Sequence, residues 1–337
     1  MAHDIWVEIN LREIKERYKK LKSHTSAEIM PVIKNNANGL GFRKMFDIYK
    51  SLGVKTIATS YAYEFYLKAR DDDGVNKISW IWSPKKELTE IKNLILCCKN
   101  LIQLDFCIRN KIPYHIVFNI GMNRGGFLPS EINKIAEFIS PVKDIIIATH
   151  CPYENPEDIK KYHADLLNLL KSIKDYGLNV TYTHAANSCL FREAPECHFD
   201  GVRLGEALLL PNNDMFGRYN PTTIKTVLLD IMDLKKGANI GYNFQKLEQD
   251  KTVGVLPVGY YNFDKISSVI INGTICDVLV SMHDLSIVDL SPLKAKPKMG
   301  DEVILFNVDL LKKNWNRCIQ RTFKFNPDLV EYVYKEG

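Results

Sequence analysis

The chain has 337 residues, and its 45 basic and 40 acidic side chains give it a formal net charge of +5. This length suffices for a large α/β domain and a smaller second domain, and so mild a charge gives no reason to expect a nucleic acid or a membrane as partner. No apolar stretch is long enough to span a membrane and no signal peptide is recognisable, so the eight cysteines, none in a Cys-x-x-Cys pair, predict reduced thiols and a cytoplasmic location.

From residue 29 to about residue 205, short apolar runs alternate with longer amphipathic stretches. The runs predict eight strands, over 29–34, 56–60, 78–82, 101–105, 114–120, 145–150, 180–188 and 202–205. The stretches predict helices over 42–52, 61–70, 87–96, 129–139 and 156–176. This alternation favours a (β/α)8 barrel with parallel strands. The segment 106–113 is short for a crossover between parallel strands, so a truncated helix or an abbreviated loop is expected there.

After about residue 222 the pattern changes to alternating runs that are separated by glycine and proline turns. These runs predict strands over 252–258, 269–276, 278–288 and 302–307. Asn272-Gly273 is a strong signal for a two-residue hairpin turn. The sequence therefore predicts a barrel over 1–222, followed by a mostly antiparallel β domain over 223–337.

Lys34 stands where a buried strand is expected to give way to a glycine-containing loop. A lysine amine in such a place can attack a carbonyl group once its solvation and charge are tuned. Because the chemistry of such barrels lies at the carboxyl ends of the strands, other polar residues there are expected to face the same mouth. These residues are Arg124, His150, Asn187, Ser188, Arg203, Gly205 and Glu206.

The loops after the seventh and eighth strands are the usual phosphate-binding position in such barrels. The Ser188 hydroxyl and the backbone amides of Gly205 and Glu206 suit a phosphate group. Together with a lysine that binds carbonyl groups, they imply a phosphorylated aldehyde as cofactor. Pyridoxal 5'-phosphate is the obvious one.

For each of these residues, a purely structural role is the alternative hypothesis. A lysine is by default a solvated surface charge, His150 could be bonded to backbone at a strand end, and Arg203 could be half of an ion pair. One group of candidate zinc ligands has spacings that fit no common site, so no metal is expected. That group comprises His184, Cys189, Cys197 and His198.

Several segments resemble motifs of the alanine racemase family, which are pyridoxal phosphate enzymes of fold type III. Segment 119–127, Asn-Ile-Gly-Met-Asn-Arg-Gly-Gly-Phe, is similar to the family's Asp-Thr-Gly-Met-x-Arg-Leu-Gly-Phe. The other similar segments are 31–41, 184–188, 202–206, 241–242, 256–260 and 281–282. They follow the family's order and cover nearly the whole chain. The resemblance implies an amino-acid racemase with alanine as expected substrate, working as a homodimer with shared active sites.

The resemblance also implies roles for individual residues. Lys34 would bind the cofactor as a Schiff base and act as one base, while Tyr242 would be the opposing base and reach into the barrel of a partner subunit. His150 and Arg203 would form a hydrogen-bond chain towards Tyr242, and Arg203 would also face the pyridine nitrogen. The further implied contacts are Asn38, Asn187, Ser188, Gly205 and Glu206 for the cofactor, and Arg124, Tyr260 and the backbone of Met282 for the substrate.

The chain departs from the family pattern at several positions. Asn38 replaces a tyrosine, and Val117 replaces a lysine that often carries a carbamate beside the arginine. Asn155 and Leu279 replace the aspartate and arginine of a charged entrance, and the family's terminal tyrosine motif is not recognisable in 319–327. These departures leave the two bases in place but affect substrate selection.

Three functions therefore stay open. The leading prediction is a racemase of alanine or another small neutral amino acid, and the second is a racemase of a larger or basic amino acid, which the neutral entrance favours. The third is a pyridoxal phosphate-binding protein with little turnover. Tyr242 and the second domain argue against the third, because simple carriers with this barrel usually lack that domain.

Overall fold

The structure is a computed structural model that describes residues 4–151, 155–242, 245–261, 263, 266–310 and 330–336. It divides into two compact units, one formed by Tyr18–Leu209 and the other by Met1–Arg17 with Leu210–Gly337. This division differs from the predicted boundary at residue 222. The amino-terminal strand β1 (Ile5–Asn10) pairs with strands from the last third of the chain, so it does not belong to the barrel.

The unit Tyr18–Leu209 contains an eight-stranded parallel sheet in the order β2-β9-β8-β7-β6-β5-β4-β3. Its strands are β2 (Glu28–Pro31), β3 (Thr56–Tyr61), β4 (Asn76–Ile81), β5 (Leu94–Cys98), β6 (Tyr114–Val117), β7 (Asp144–Ala148), β8 (Asn179–Ala186) and β9 (Gly201–Leu204). A bridge between Val32 and Ala58 joins the two edges, and there the Ile33 N–H donates to the Ala58 carbonyl at 2.9 Å. The sheet is therefore a nearly closed barrel, and the predicted fold class is confirmed.

Helical segments accompany these strands, and the longer ones bury one apolar face, as the spacing of Ile132, Ile135 and Ile139 in α6 illustrates. In chain order they are α1 (Leu11–Lys22), α2 (Lys34–Asn38), α3 (Phe42–Ser51), α4 (Ala62–Ala69), α5 (Leu101–Arg109), α6 (Ile132–Ile139), α7 (Pro156–Asp175), α8 (Ser188–Glu193) and α9 (Glu206–Leu209). Short 3-10 turns lie at Lys86–Glu90, Pro129–Glu131, Pro195–Cys197 and Val308–Leu310. The helices predicted over 42–52, 61–70, 129–139 and 156–176 are confirmed within a few residues.

The fourth strand was predicted wrongly. The strand is Leu94–Cys98, which overlaps the end of the predicted helix 87–96, and the predicted strand 101–105 is the first part of α5. Asn100 fixes the start of α5, because its side chain caps the amino terminus of the helix by accepting a hydrogen bond from the Gln103 N–H at 2.9 Å. The crossover before β6 is therefore a helix of 9 residues, and the truncated connection expected over 106–113 does not exist.

One layer of the barrel interior is filled by a buried side chain from each of six consecutive strands, β2 to β7. These side chains are Met30, Ala58, Ile78, Cys97, Val117 and Ala148. The barrel is thus a packed core and not a pore, as is usual for this fold. A ligand of the barrel would therefore bind at its rim.

The second unit contains a nine-stranded sheet in the order β13-β16-β19-β18-β17-β20-β12-β1-β21, which is antiparallel except between β1 and β21. After β1, its strands are β12 (Thr222–Val227), β13 (Asp230–Leu234), β16 (Lys251–Leu256), β17 (Ser268–Ile271), β18 (Thr274–Ser281), β19 (Ser286–Asp289), β20 (Glu302–Phe306) and β21 (Glu331–Lys335). Two short ribbons pair β10 (Asn212–Asp214) with β11 (Gly217–Tyr219) and β14 (Asn239–Ile240) with β15 (Gln245–Lys246). The prediction of a mostly antiparallel domain is confirmed.

The hairpin prediction in this unit is confirmed, because Asn272 and Gly273 both have positive φ (47° and 74°) between β17 and β18. The single strand predicted over 278–288 is wrong, since β18 ends at Ser281 and β19 begins at Ser286. The segment 319–327, whose sequence departs from the family pattern, lies outside the described residues. In the part of the chain that is described, no helix is long and apolar enough to cross a bilayer.

Candidate active site

Lys34 begins α2, which is a turn of left-handed helix. Asn35, Asn36 and Ala37 have φ between 54° and 56°. Asparagine tolerates this conformation better than most residues because its short polar side chain can bond locally, whereas alanine there costs roughly 1–2 kcal/mol. The side chain of Asn36 stabilises the turn by accepting a hydrogen bond from the Phe42 N–H at 2.9 Å. The turn reverses the chain directly after β2 and leaves the Lys34 side chain exposed at the carboxyl end of the barrel.

Arg203 is a buried cation, 5% exposed, in β9. Its two terminal nitrogens make five hydrogen-bond contacts of 2.6–3.4 Å, all with neutral acceptors. These acceptors are the carbonyl oxygens of Thr149, His184 and Ala185, and the Nδ1 atoms of His184 and His150. The guanidinium carbon lies 4.7 Å from the centroid of the Trp80 ring. Among described residues no carboxylate pairs with Arg203, so within that part of the chain Arg203 is not half of a structural ion pair.

Burial lowers the pKa of Arg203 to about 10, so its guanidinium remains charged at neutral pH. Its Nε–H has no acceptor among the residues that the structure describes, although the terminal nitrogens are fully used. An N–H that no described residue accepts is free to donate to a ligand, because arginine donates through all of its nitrogens. The sequence alone could not have identified this donor.

A second histidine extends the contacts of Arg203 into the barrel. His184 Nδ1 accepts from Arg203 at 2.8 Å, because arginine has no acceptor atom. The proton of neutral His184 must then be on Nε2, which donates to Nδ1 of His115 at 2.9 Å. Burial, followed by the charge of Arg203, lowers the pKa of His115 to about 3. We call Arg203, His184 and His115 the buried chain.

His150 connects the buried chain to the exposed cations of the mouth. Its pKa is lowered to about 3, first by burial and then by the charges of Arg203, Arg124 and Lys34. The imidazole is therefore neutral at physiological pH, and its Nδ1 faces Arg203 at 3.4 Å. The structure thus brings together four of the predicted site residues: Lys34, Arg124, His150 and Arg203.

The predicted phosphate site lies at the ends of the neighbouring strands β8 and β9. The Asn187 side chain caps α8, accepting from two backbone N–H groups at 3.0 Å. The buried hydroxyl of Ser188 accepts from the Ala207 N–H at 3.2 Å and so links α8 to α9. The Asn187 amide oxygen is thus already engaged, whereas the Ser188 hydroxyl proton has no acceptor among the described residues.

Gly205 and Glu206 lie where β9 gives way to α9. A Cβ at Gly205 would lie 3.3 Å from both the Cβ and the carbonyl oxygen of Val32, so a side chain there would press on the strand end before Lys34. Asn38 ends the left-handed turn and is half-buried. Glycine at 205 thus lets the end of β9 pack closely against Val32, and the contact of this backbone with a phosphate group stays a prediction.

The remaining predicted residues lie in the second unit. Tyr242 is 65% exposed, in a turn directly after Gly241. Tyr260 donates its N–H to the Met282 carbonyl at 2.9 Å, and the Met282 N–H donates to Leu285 at 2.8 Å. The backbone at Met282 is predicted to hold the substrate, and its N–H is already used in a turn. Any binding by it would have to share this contact.

The two positions predicted to form a neutral entrance have structural roles of their own. Asn155 caps α7 by accepting from the Asp158 N–H at 3.0 Å. Leu279 packs against an apolar cluster of the second unit that includes Val253 and Ile287. Within the described ranges no group of three or more His, Cys, Asp or Glu side chains is arranged to hold a metal ion.

Comparison with known proteins gives consistent results. Residues 9–212 match the family model of the alanine racemase N-terminal domain, and residues 222–322 match that of the C-terminal domain. An alanine racemase of Carboxydothermus hydrogenoformans is 28% identical over 335 residues, which cover 89% of each chain. A structure of alanine racemase from Clostridium difficile aligns with a TM-score of 0.86 at 20% identity and covers 99% of this chain and 96% of that one. One from Bartonella henselae, described with covalently bound pyridoxal phosphate, aligns with a TM-score of 0.84 at 21% identity, covering 99% of this chain and 100% of that one.

Proposed function

Because the chain belongs to the alanine racemase family, we propose that it is a pyridoxal phosphate-dependent racemase that interconverts the two enantiomers of alanine. The observation that carries the proposal is the mouth of the barrel. There an exposed lysine amine stands beside a neutral histidine and a buried arginine with one free donor.

The residues at the mouth fit the cofactor. Lys34 has the amine that a Schiff base requires, and Ser188 with the backbone at Gly205 offers a site for the phosphate group. The free Nε–H of Arg203 suits the ring nitrogen, which is a hydrogen-bond acceptor when unprotonated. Since the pKa of Arg203 stays near 10, the arginine would donate this hydrogen bond at neutral pH without transferring its proton.

Pyridoxal phosphate, when bound, supplies an electron-withdrawing ring that makes the Cα–H bond of an amino acid acidic. The protein's part is to remove this proton on one face and return one on the other. Inversion therefore requires two proton-carrying groups on opposite sides. We assign these roles to Lys34 and Tyr242, with Arg124 binding the substrate carboxylate.

Tyr242 would act from a second copy of the chain. Its side chain is 65% exposed in the single chain, and a phenol with an ordinary pKa of about 10 needs nearby donors to work as a base at neutral pH. His150 can provide one, because its Nδ1 faces Arg203 and its proton is therefore on Nε2. We thus propose a homodimer in which each active site combines Lys34 of one chain with Tyr242 of the other.

A racemase of a larger amino acid is the second candidate. The observation that favours it is the absence of charge at Asn155 and Leu279, because both side chains are engaged in structure rather than paired across an entrance. A panel of L- and D-amino acids decides between the candidates, with exchange of the α-proton for deuterium as the signal. Exchange strongest with alanine supports the leading proposal.

The proposal is tested with Lys34→Ala and Tyr242→Phe. We expect Lys34→Ala to lose the visible absorption of lysine-bound cofactor together with racemisation, and Tyr242→Phe to keep the absorption but lose at least about 100-fold in racemisation. Tyr261→Phe is the matched control, because Tyr261 is also an exposed tyrosine, stacked on His283. It should retain activity.

Mixing the two inactive variants tests the shared site. A mixed dimer would contain one site with both native bases, so activity should return after subunit exchange. If both bases came from the same chain, no mixture would recover activity. Cofactor binding without α-proton exchange for any amino acid would instead identify the protein as a carrier.

A further inference from the structure

Lys99 and Arg124 line one pocket at the barrel mouth, together with Trp80, Val117 and His150. Lys99 follows β5 directly, and Arg124 lies in the loop after the neighbouring strand β6. The pocket thus contains two cations and a neutral histidine. None of its lining residues carries a carboxylate.

The stem of Lys99 lies against the loop that carries Arg124. A Cβ at Gly125, which has φ +91°, would be 3.3 Å from Lys99 Cδ. The absence of a side chain at Gly125 therefore gives the lysine room to lie there. The Lys99 backbone is also fixed, because its N–H donates to Gln103 Oε1 at 2.8 Å. The backbone of Lys99 is thus fixed, and its stem lies beside Gly125.

The charged ends of the two side chains have no counter-ion in the part of the chain that the structure describes. Neither the Lys99 ammonium nor the Arg124 guanidinium makes a hydrogen bond or an ion pair with a described residue. Burial lowers the pKa of both groups, and the charge of Arg124 lowers that of Lys99 further. Two like charges that share one pocket repel each other unless an anion lies between them.

We propose that Lys99 anchors the substrate: its ammonium group, together with the Arg124 guanidinium, binds the α-carboxylate of the amino acid. This inference rests on the proposed racemase function and adds to it a binding residue from β5. A carboxylate has two oxygens with about four acceptor sites, so it can accept from both cations at once. Charge-assisted hydrogen bonds of this kind are about twice as strong as neutral ones.

The test uses the cofactor-saturated protein and Lys99→Met, which keeps an unbranched stem but removes the charge. Propionate, which is alanine without its amino group, is the probe, and its affinity is measured by calorimetry. We expect Lys99→Met to bind propionate about tenfold more weakly. KM for alanine should rise by a similar factor while kcat stays within about twofold, since the carboxylate is bound equally in substrate and transition state.

Two further variants complete the test. Lys85→Met, which removes an exposed lysine in the segment after β4, should leave propionate affinity and KM unchanged. Lys99→Arg keeps a cation at the same place and should recover most of the affinity. Unchanged propionate affinity in Lys99→Met overturns the inference, as does a loss that Lys99→Arg does not restore. If the wild type racemises no amino acid, the proposed function fails, yet the propionate comparison still decides the role of Lys99.

Discussion

The cations at the barrel mouth differ in whether the protein itself accepts their hydrogen bonds. Arg203 is buried and donates from its terminal nitrogens to five neutral acceptors, whereas the Lys99 ammonium and the Arg124 guanidinium donate to no described residue. A cation whose donors are used by the protein keeps its position with or without a ligand. A cation with free donors is available to bind an anion. The comparison separates a preorganised support, proposed to hold the cofactor, from a site that the proposed substrate would complete.

The largest effect that tests this comparison is expected from Arg203→Lys. Lysine has three donors and no planar fork, so it would leave some of the buried carbonyl and imidazole acceptors without a partner. We expect a loss of about 3 kcal/mol in the free energy of unfolding, measured by urea denaturation. Arg124→Lys is the matched control and should change it by less than about 0.5 kcal/mol. Equal losses in the two variants would remove the distinction between the two kinds of cation.

The buried chain predicts an acid-sensitive stability. Folded His115 has a pKa of about 3, whereas an unfolded histidine has one of about 6.5. Below about pH 6.5 the unfolded state therefore takes up a proton that the folded state resists, and stability falls as the pH falls. His184 has its pKa shifted in the same direction, also by burial and by the charge of Arg203.

His115→Asn should accordingly flatten the pH dependence. Each histidine that remains neutral only when folded contributes a slope of up to about 1.4 kcal/mol per pH unit between its two pKa values. The variant should lose one such contribution, measured by urea denaturation across the acid range. His24→Asn, at an exposed histidine, should leave the slope as it is. A steeper slope in His115→Asn would contradict the assignment of a neutral His115.

Much of the barrel was predictable because its strands are short apolar runs with helical patterns between them. The prediction failed at β5 because the apolar runs 94–98 and 101–105 look alike, and periodicity does not separate a short strand from a helix. What separates them is the cap at Asn100. In the second unit, the sequence located the hairpin at Asn272, because an asparagine-glycine turn is a local signal.

The candidate site was predictable only in part, for a similar reason. Strand ends identified Lys34, Arg124, His150 and Arg203, because parallel strands bring their carboxyl ends to one rim. The contact between His115 and His184 could not be predicted, since it depends on the register of strands far apart in sequence. Lys99 could not be predicted either, because nothing in the sequence distinguishes it from the other lysines. Its position beside the loop that carries Arg124 is seen only in the structure.

The smallest expected effect concerns Lys34, a cation that is positioned by the conformation of the backbone beside it. Lys34 begins a left-handed turn in which Asn35 has φ 54°, and the exposed Asn35 side chain makes no hydrogen bond with a described residue. Asn35→Val should therefore cost about 1–2 kcal/mol in the free energy of unfolding, because a branched side chain is strained at this φ. Asn35→Gly should cost close to nothing, since glycine adopts the conformation freely. Racemisation should fall more in Asn35→Val than in Asn35→Gly, because a valine that straightens the turn would redirect the Lys34 amine. If the two variants were equally stable, the turn would be held by its neighbours and not by the residue at position 35.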